Sequence, residues 1–102
     1  FIIPVVNIDG YQFTWESEDN RLWRKNRHTF ESGLVGVDLN RNWGPNSTWC
    51  TTGSGTFEGS DTYCGKYVFS EPETHSLALS MAKIPSLKAG MDFHTYGPLL
   101  LW

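Results

Sequence analysis

Four cations stand close together between Arg21 and Arg27, with Trp23 among them. Three interpretations of this segment are open. Cations interleaved with aromatic rings could form a nucleic-acid strip, or the segment could be a solvated basic surface loop. It could also place one arginine in a cleft, where a fixed guanidinium stabilises an oxyanion. The net charge of −3 disfavours the first interpretation, because the chain has no basic field to attract nucleic acid.

A second polar cluster, at residues 38–43, combines a side-chain amide with a guanidinium. Arg41 offers a planar fork to both oxygens of a carboxylate, and Asn40 adds a neutral donor. This pair predicts a carboxylate-binding site. The alternative is that Asp38 and Asn40 only cap a turn and that Arg41 is solvated.

His94 follows the apolar segment 87–93, which predicts a strand that ends at the histidine. Ligands of open α/β sheets bind at the carboxyl ends of strands, so His94 is a candidate ligand or base. The alternative is a structural histidine. His28, in the basic segment, and His75, on a predicted helix, are interpreted as ordinary.

Three short apolar segments predict the strands that must position these side chains. They are residues 2–6, which are followed by the turn signal Asp9-Gly10, residues 34–37 and residues 87–93. Residues 44–69 are rich in Gly, Ser, Thr, Asn and Asp, and they predict a long loop.

One helix is well signalled. Ser70 and Glu73 predict a capping box, in which each side chain bonds the backbone N–H of the other residue. Leu77 and Met81 then fall on one helical face, and Ile84-Pro85 ends the helix. A strand, an irregular excursion, a helix and a strand in this order predict an α/β fold.

Cys50 and Cys64 are the only two cysteines, so a single pairing is possible. Closing a loop of about 15 residues contributes ~3 kcal/mol in the chain-entropy model. The glycosylation sequon at Asn46 lies in the same loop. Together these features predict an oxidising, secretory compartment. The alternatives are free thiols and a sequon that arose by chance.

Composition and the two chain ends restrict the class of protein. The longest apolar run is far short of the ~20 residues of a membrane span, and an aromatic content of 15% is not that of a disordered tail. Both ends, residues 1–6 and 99–102, are apolar, whereas domains usually end in polar residues. We therefore expect residues 1–102 to be a piece cut from something larger.

Six segments together resemble the zinc carboxypeptidases of the carboxypeptidase A/B family, in the family's order and with similar spacing. The resemblance implies a partial α/β/α carboxypeptidase-like domain with a mixed central sheet, incomplete in this chain. The segments are Asn7-Ile8-Asp9-Gly10, Asn20–Lys25, Gly36–Trp43, Asp61–Tyr67, Ser70–Glu73 and Phe93–Tyr96.

The resemblance also implies roles for single residues. Arg24 corresponds to the arginine that polarises the scissile carbonyl and stabilises the oxyanion. Asn40 and Arg41 correspond to the pair that binds the C-terminal carboxylate of the substrate. His94 corresponds to the last of three ligands of one Zn²⁺, and Tyr96 to a residue that lines the subsite for the penultimate side chain.

Departures from the family pattern affect the loop and the completeness of the site. Leu34 and Gly59 stand where some relatives carry a disulfide pair, so a Cys50–Cys64 bridge would belong to another branch. The resemblance puts the first two zinc ligands before the chain's start, and the general-base glutamate and main specificity residue after its end. The piece alone is therefore expected to be inactive.

The resemblance implies a secreted, zinc-dependent metallocarboxypeptidase that removes C-terminal residues from peptides and proteins. Its partners would be peptide or protein C-termini, with no nucleic acid and no membrane span. The alternative is a non-catalytic carboxypeptidase-like module that binds peptides through the same carboxylate site. A third hypothesis is an unrelated, aromatic-rich extracellular module that binds glycans.

Overall fold

The computed structural model describes residues 1–94, whose regular elements are helical. Helix α1 spans Ile8–Glu16 and helix α2 spans Pro72–Ala82. Single turns of 3₁₀ helix lie at Glu18–Asn20 and Leu39–Arg41. Within residues 1–94, neither helix is long and apolar enough to cross a membrane.

The three predicted strands are not formed in the described part of the chain. Residues 1–6 and 87–93 have no ladder partner there and are exposed. Of residues 34–37, only Val35 pairs, in a single antiparallel bridge with Thr29. The described part of the chain therefore does not confirm these strands, because an apolar run forms a strand only beside a neighbouring strand and residues 1–94 supply none.

Helix α1 was missed because its first turn contains the Asp-Gly pair that usually signals a turn. Asn7 caps the helix, and its Oδ1 accepts a 3.0 Å hydrogen bond from the backbone N–H of Gly10. Asp9 lies in the first turn, where a carboxylate favours the helix dipole. A Cβ on Gly10 would collide with the Asn7 side chain, so this close cap requires glycine.

Helix α2 confirms the predicted helix, but the predicted capping box is wrong. Pro72 occupies the first helical position, which tolerates its missing N–H. Ser70 Oγ donates to Glu71 Oε1 at 2.7 Å instead of capping. The helix start is bonded by a distant residue, Asn42, whose Oδ1 accepts from Glu71 N at 3.3 Å. The helix ends at Ala82, shortly before the predicted stop.

Polar side chains make up most of the buried interior of residues 1–94. The buried apolar residues are Val37, Tyr63 and Cys64. Many large apolar side chains elsewhere in this part of the chain are exposed. The buried polar residues are Lys25, Asn26, Asp38, Asn42, Glu71 and Thr74.

The predicted long loop at residues 44–69 is confirmed, since it contains no helix or strand. The predicted pairing of Cys50 with Cys64 is also confirmed: the two residues form a disulfide with their Cα atoms 5.5 Å apart. A single parallel bridge joins Gly55 to Tyr63 inside the closed loop. The loop is therefore closed by the disulfide and further restrained by the Gly55–Tyr63 bridge.

Candidate active site

Asp38 connects two of the predicted site residues. Arg24 Nη2 donates to Asp38 Oδ2 at 2.7 Å, and the backbone N–H of Asn40 donates to Asp38 Oδ1 at 3.1 Å. The Asp38 side chain is 3% exposed, whereas that of Arg24 is 49% exposed. A buried carboxylate therefore holds one Nη atom of an arginine whose side chain is half exposed. Asp38 also caps the 3₁₀ turn at Leu39–Arg41, as the capping interpretation predicted.

Arg24 lines an open cleft of about 250 Å³. Its neighbour Lys25 is buried and donates from Nζ to the carbonyl oxygen of Glu58 at 2.9 Å. Burial lowers the pKa of Lys25, and the nearby Asp61 and Asp38 partly offset this effect. Arg24 thus has the cleft placement that an oxyanion arginine requires. The other residues lining the cleft are Asp19, Asn20, Leu22, Trp23, Lys25 and Asp61.

The remaining arginines of the basic segment pack against aromatic rings. The Arg27 guanidinium carbon lies 3.6 Å from the ring centre of Phe13 and 4.5 Å from that of Trp23. That of Arg21 lies 4.1 Å from the ring centre of Trp15. Such cation–π contacts hold these two guanidinium groups against aromatic side chains of the protein. Arg24 is accordingly the arginine of this segment that lines the cleft.

The predicted carboxylate-binding pair lies on the 3₁₀ turn at Leu39–Arg41. Asn40 is exposed and Arg41 is half-buried. Arg41 Nε donates to the carbonyl oxygen of Gly53 at 3.0 Å, and its Nη1 donates to the carbonyl oxygen of Asn40 at 3.2 Å. Arg41 is therefore held by backbone carbonyls, which do not neutralise its charge.

Asn42, which the sequence did not single out, is fully buried beside the candidate site. Its Nδ2 donates to the carbonyl oxygens of Cys64 and Tyr67 at 2.8 and 3.1 Å, and to Ser70 Oγ at 3.0 Å. Its Oδ1 also accepts from Thr74 Oγ1 at 2.7 Å. One amide thus joins the turn that carries Arg41, the disulfide-closed loop and helix α2.

Glu71 is the second buried residue that the sequence did not single out. Its Oε2 accepts from Asn26 Nδ2 at 2.7 Å and lies 3.0 Å from His28 Nδ1. Asn26 Oδ1 in turn accepts from the backbone N–H of Val37 at 2.8 Å. His28 is therefore not ordinary, because it contacts a buried carboxylate. The signal available in the sequence was only that these polar residues lie within or next to the motifs.

His94 is the one predicted zinc ligand within the described residues, and its fit to a metal is partial. Its Nε2 lies 3.0 Å from Asp92 Oδ2, which resembles the carboxylate contact that metal-bound histidines commonly make. Both side chains are exposed, 57% for His94 and 84% for Asp92. Residues 1–94 contain no group of three His, Cys, Asp or Glu side chains that could hold a metal ion. This part of the chain therefore does not complete a zinc site by itself, and the role of His94 as a ligand stays a prediction.

Two further predicted residues differ in what can be said of them. Tyr96 lies outside the described residues. Asn46, in the predicted sequon, is exposed in the loop just before Cys50, where a glycan could be attached.

The profile of the zinc carboxypeptidase family matches residues 1–102, the whole of this sequence. The chain therefore belongs to the zinc carboxypeptidase family, as the six motifs indicated. This membership sets aside the hypothesis of an unrelated glycan-binding module.

The relatives and solved structures agree with this family. Carboxypeptidase B2 of Rattus norvegicus is 42% identical over 104 residues, which cover 100% of this chain and 24% of the relative. Carboxypeptidase B of Bos taurus is 40% identical over 104 residues, with 100% and 24% covered. This chain thus spans about a quarter of the length of these relatives.

Solved carboxypeptidase structures share the fold of the described residues. Bovine thrombin-activatable fibrinolysis inhibitor, in complex with tick carboxypeptidase inhibitor, aligns with a TM-score of 0.72 and 45% identity, covering 79% of this chain and 27% of that chain. Carboxypeptidase A from Helicoverpa armigera aligns with a TM-score of 0.68 and 44% identity, covering 79% and 19%. Residues of this chain therefore form part of a carboxypeptidase-like domain.

Proposed function

We propose that residues 1–102 are the central part of the catalytic domain of a zinc-dependent metallocarboxypeptidase that removes C-terminal residues from peptides and proteins. One observation carries this proposal. The buried Asp38 carboxylate bonds both Arg24 Nη2 and the backbone N–H of Asn40. A candidate oxyanion stabiliser and a candidate carboxylate-binding pair are therefore fixed to the same side chain.

Asn40 and Arg41 would bind the free carboxylate at the end of a substrate chain. The guanidinium supplies charge and paired donors, and the exposed amide supplies a neutral donor. Within a polypeptide the main-chain carboxyl groups are amides, and a free α-carboxylate occurs only at the C-terminus. This pair would therefore select the chain end and make the enzyme an exopeptidase.

Arg24 would act on the carbonyl of the bond that is cut. Its guanidinium is held at one edge by Asp38 and is open to the cleft at the other, so it is pre-oriented for the negative charge that develops on the carbonyl oxygen. His94 would be one ligand of Zn²⁺, together with ligands from outside the described residues. When bound, zinc supplies Lewis acidity and lowers the pKa of its water towards ~7.

The larger domain would have the α/β/α arrangement with a mixed central sheet. Segments 2–6 and 87–93 are apolar yet exposed, which supports a place for them beside strands from the rest of the protein. Tyr96 would line the subsite for the penultimate side chain. The Cys50–Cys64 disulfide and the exposed sequon at Asn46 support a secreted protein. Residues 1–102 alone would be inactive, because the site needs further ligands and a base.

The test is release of C-terminal residues by the full-length protein, measured with and without a zinc chelator. We expect release from peptides with a free C-terminus, loss of release with the chelator, and recovery on adding Zn²⁺. Chelator-insensitive release, or a folded full-length protein that releases nothing, would contradict the proposal.

A non-catalytic peptide-binding module is the second candidate. It would use the same candidate carboxylate-binding pair, Asn40 and Arg41, on the 3₁₀ turn. Such a module would bind a peptide with a free C-terminus and lose affinity on Arg41→Ala, but it would release no product at any zinc concentration.

A further inference from the structure

We infer that the disulfide-closed loop 50–64 is a positioning element for substrate binding, and that it acts through the backbone carbonyl of Gly53 on Arg41. This inference rests on the proposed function, since it concerns how Arg41 meets the C-terminal carboxylate. It assigns a role to a part of the loop that bears no chemically reactive side chain.

The contact closes one edge of the guanidinium. A carboxylate can approach an arginine through Nε and one Nη atom, or through the two Nη atoms. Arg41 Nε already donates to Gly53 O at 3.0 Å, and one N–H of Nη1 is used by Asn40 O at 3.2 Å. Gly53 O therefore occupies the edge that contains Nε, and a carboxylate would approach through the edge formed by the two Nη atoms.

The Gly53 carbonyl is itself held from both sides. On the N-terminal side, Cys50 is held by its disulfide to the buried Cys64. A 3.1 Å hydrogen bond from Ser54 N to Thr51 O closes the turn that contains Gly53. The residue after that turn, Gly55, donates to Thr62 O at 2.9 Å, and its carbonyl accepts from Cys64 N at 3.1 Å. Opening the disulfide would release one side of this support.

A held arginine loses less rotational freedom when substrate binds than a free one does. Long, rotamer-rich side chains carry a large entropy cost when they are immobilised on binding. When Arg41 is already fixed, the entropy of its side chain is lost during folding and not during binding. Binding of the carboxylate is therefore strengthened, while the bond-breaking step is not affected. The signature of this role is a change in KM with kcat preserved.

The chain offers a matched pair of variants to test this. Gly53 and Gly33 both have positive φ angles, +83° and +82°, and a Cβ at either position meets nothing within 4 Å. Gly53→Ala and Gly33→Ala therefore impose the same kind of backbone strain, but only the first turns the carbonyl that Arg41 uses. In the full-length enzyme we expect Gly53→Ala to raise KM by about 3- to 10-fold, the effect of releasing one side chain. We expect kcat to change by less than about 2-fold, and Gly33→Ala to leave both constants unchanged.

A double-mutant cycle isolates the pathway through Arg41. In an Arg41→Ala background, Gly53→Ala should add nothing further to KM, because the side chain that it releases is absent. Cys50→Ser with Cys64→Ser should raise KM in the same direction, assayed where thermal unfolding shows the variant to be folded. Equal KM values for Gly53→Ala and Gly33→Ala, or a full Gly53→Ala effect without Arg41, would overturn the inference.

The outcome stays separate from that of the proposed function. The same variants are compared by calorimetric Kd for a peptide with a free C-terminus, which needs no turnover. A parent protein that binds this peptide without releasing its end would contradict the proposed activity. In that protein, a weaker Kd for Gly53→Ala than for Gly33→Ala would still support the positioning role, and equal Kd values would refute it.

Discussion

Arg24 and Asp38 form an ion pair with a 2.7 Å separation between Nη2 and Oδ2, in which the carboxylate is buried and half of the arginine side chain is exposed. The two partners therefore have different functions. Asp38 is fixed by its surroundings and holds the arginine, whereas Arg24 extends from this anchor into the cleft. Changes at either residue should affect turnover, directly at Arg24 and through Arg24 at Asp38.

Replacing Asp38 with Asn removes the charge that holds Arg24 while keeping the size of the side chain. We expect kcat to fall by about 10- to 100-fold, the range found when a supporting residue of a functional group is lost. Steady-state kinetics on the full-length enzyme would measure this. Asp19→Asn is the matched control, because Asp19 is an exposed carboxylate that lines the same cleft without a hydrogen bond to Arg24. Equal kcat values for the two variants would contradict the role of Asp38.

Replacing Arg24 with Ala removes the proposed oxyanion stabiliser itself. Since charge on the carbonyl oxygen develops in the transition state, kcat should fall by about 100- to 1,000-fold with a smaller change in KM. Arg21→Ala is the control, because Arg21 packs on Trp15 and does not line the cleft. A rise in KM with kcat intact would show that Arg24 binds substrate and does not stabilise the transition state.

Replacing Arg41 with Ala removes the charge that would bind the substrate carboxylate. We expect KM to rise by about 10- to 100-fold, since a charge-assisted hydrogen bond contributes about 1.5–3 kcal/mol. The wild-type enzyme should discriminate against peptides with an amidated C-terminus, and Arg41→Ala should lose most of that discrimination. The ratio of kcat/KM for the free and amidated peptides measures it. An unchanged ratio would exclude Arg41 from the carboxylate site.

Replacing Asn42 with Ala should lower the free energy of unfolding by about 2–4 kcal/mol, because buried backbone carbonyls and the start of α2 lose their hydrogen-bond partner. Urea unfolding would measure the change. In unglycosylated protein the exposed Asn46→Ala is the control and should change stability by less than about 0.5 kcal/mol. Similar losses for both would mean that this network adds little to stability.

Alkaline conditions should destabilise the protein through Tyr63. Burial, reinforced by Glu58 and Glu71, raises the pKa of Tyr63 above its ordinary value of 10.0. The unfolded chain therefore loses this proton first, and stability falls as the pH rises above 10.0. Tyr63→Phe should flatten this part of the stability–pH curve, whereas Tyr11→Phe, at an exposed position, should not. Identical slopes for Tyr63→Phe and wild type would contradict this.

Features that depend on residues close together in the sequence could be predicted from the sequence alone. Helix α2, the long loop and the Cys50–Cys64 pair all follow from local signals: helical spacing with Pro72 at the start, polar composition, and the presence of just two cysteines. Helix α1 was missed because Asp9-Gly10 is compatible both with a turn and with the first turn of a helix. The choice between them depends on Asn7, whose Nδ2 also donates to the distant Lys25 carbonyl at 3.0 Å.

The predicted strands are not confirmed within residues 1–94, for a different reason. A strand is stabilised by backbone hydrogen bonds to a neighbouring strand. An apolar run such as residues 2–6 indicates burial, but it does not show which strand would pair with it. The predicted capping box is wrong for a similar reason. A distant side chain, that of Asn42, accepts the backbone hydrogen bond at the start of α2, where Ser70 was expected to accept one.

The sequence by itself determined the family and the candidate chemistry, because the motifs that contain Arg24, Asn40, Arg41 and His94 are short and keep their order along the chain. Only the tertiary structure decided which residues support that chemistry. Asp38 holds Arg24 across 14 residues and Gly53 holds Arg41 across 12. Such contacts depend on where the loops bring a buried carboxylate or a backbone carbonyl, and neither local propensity nor motif spacing encodes that position.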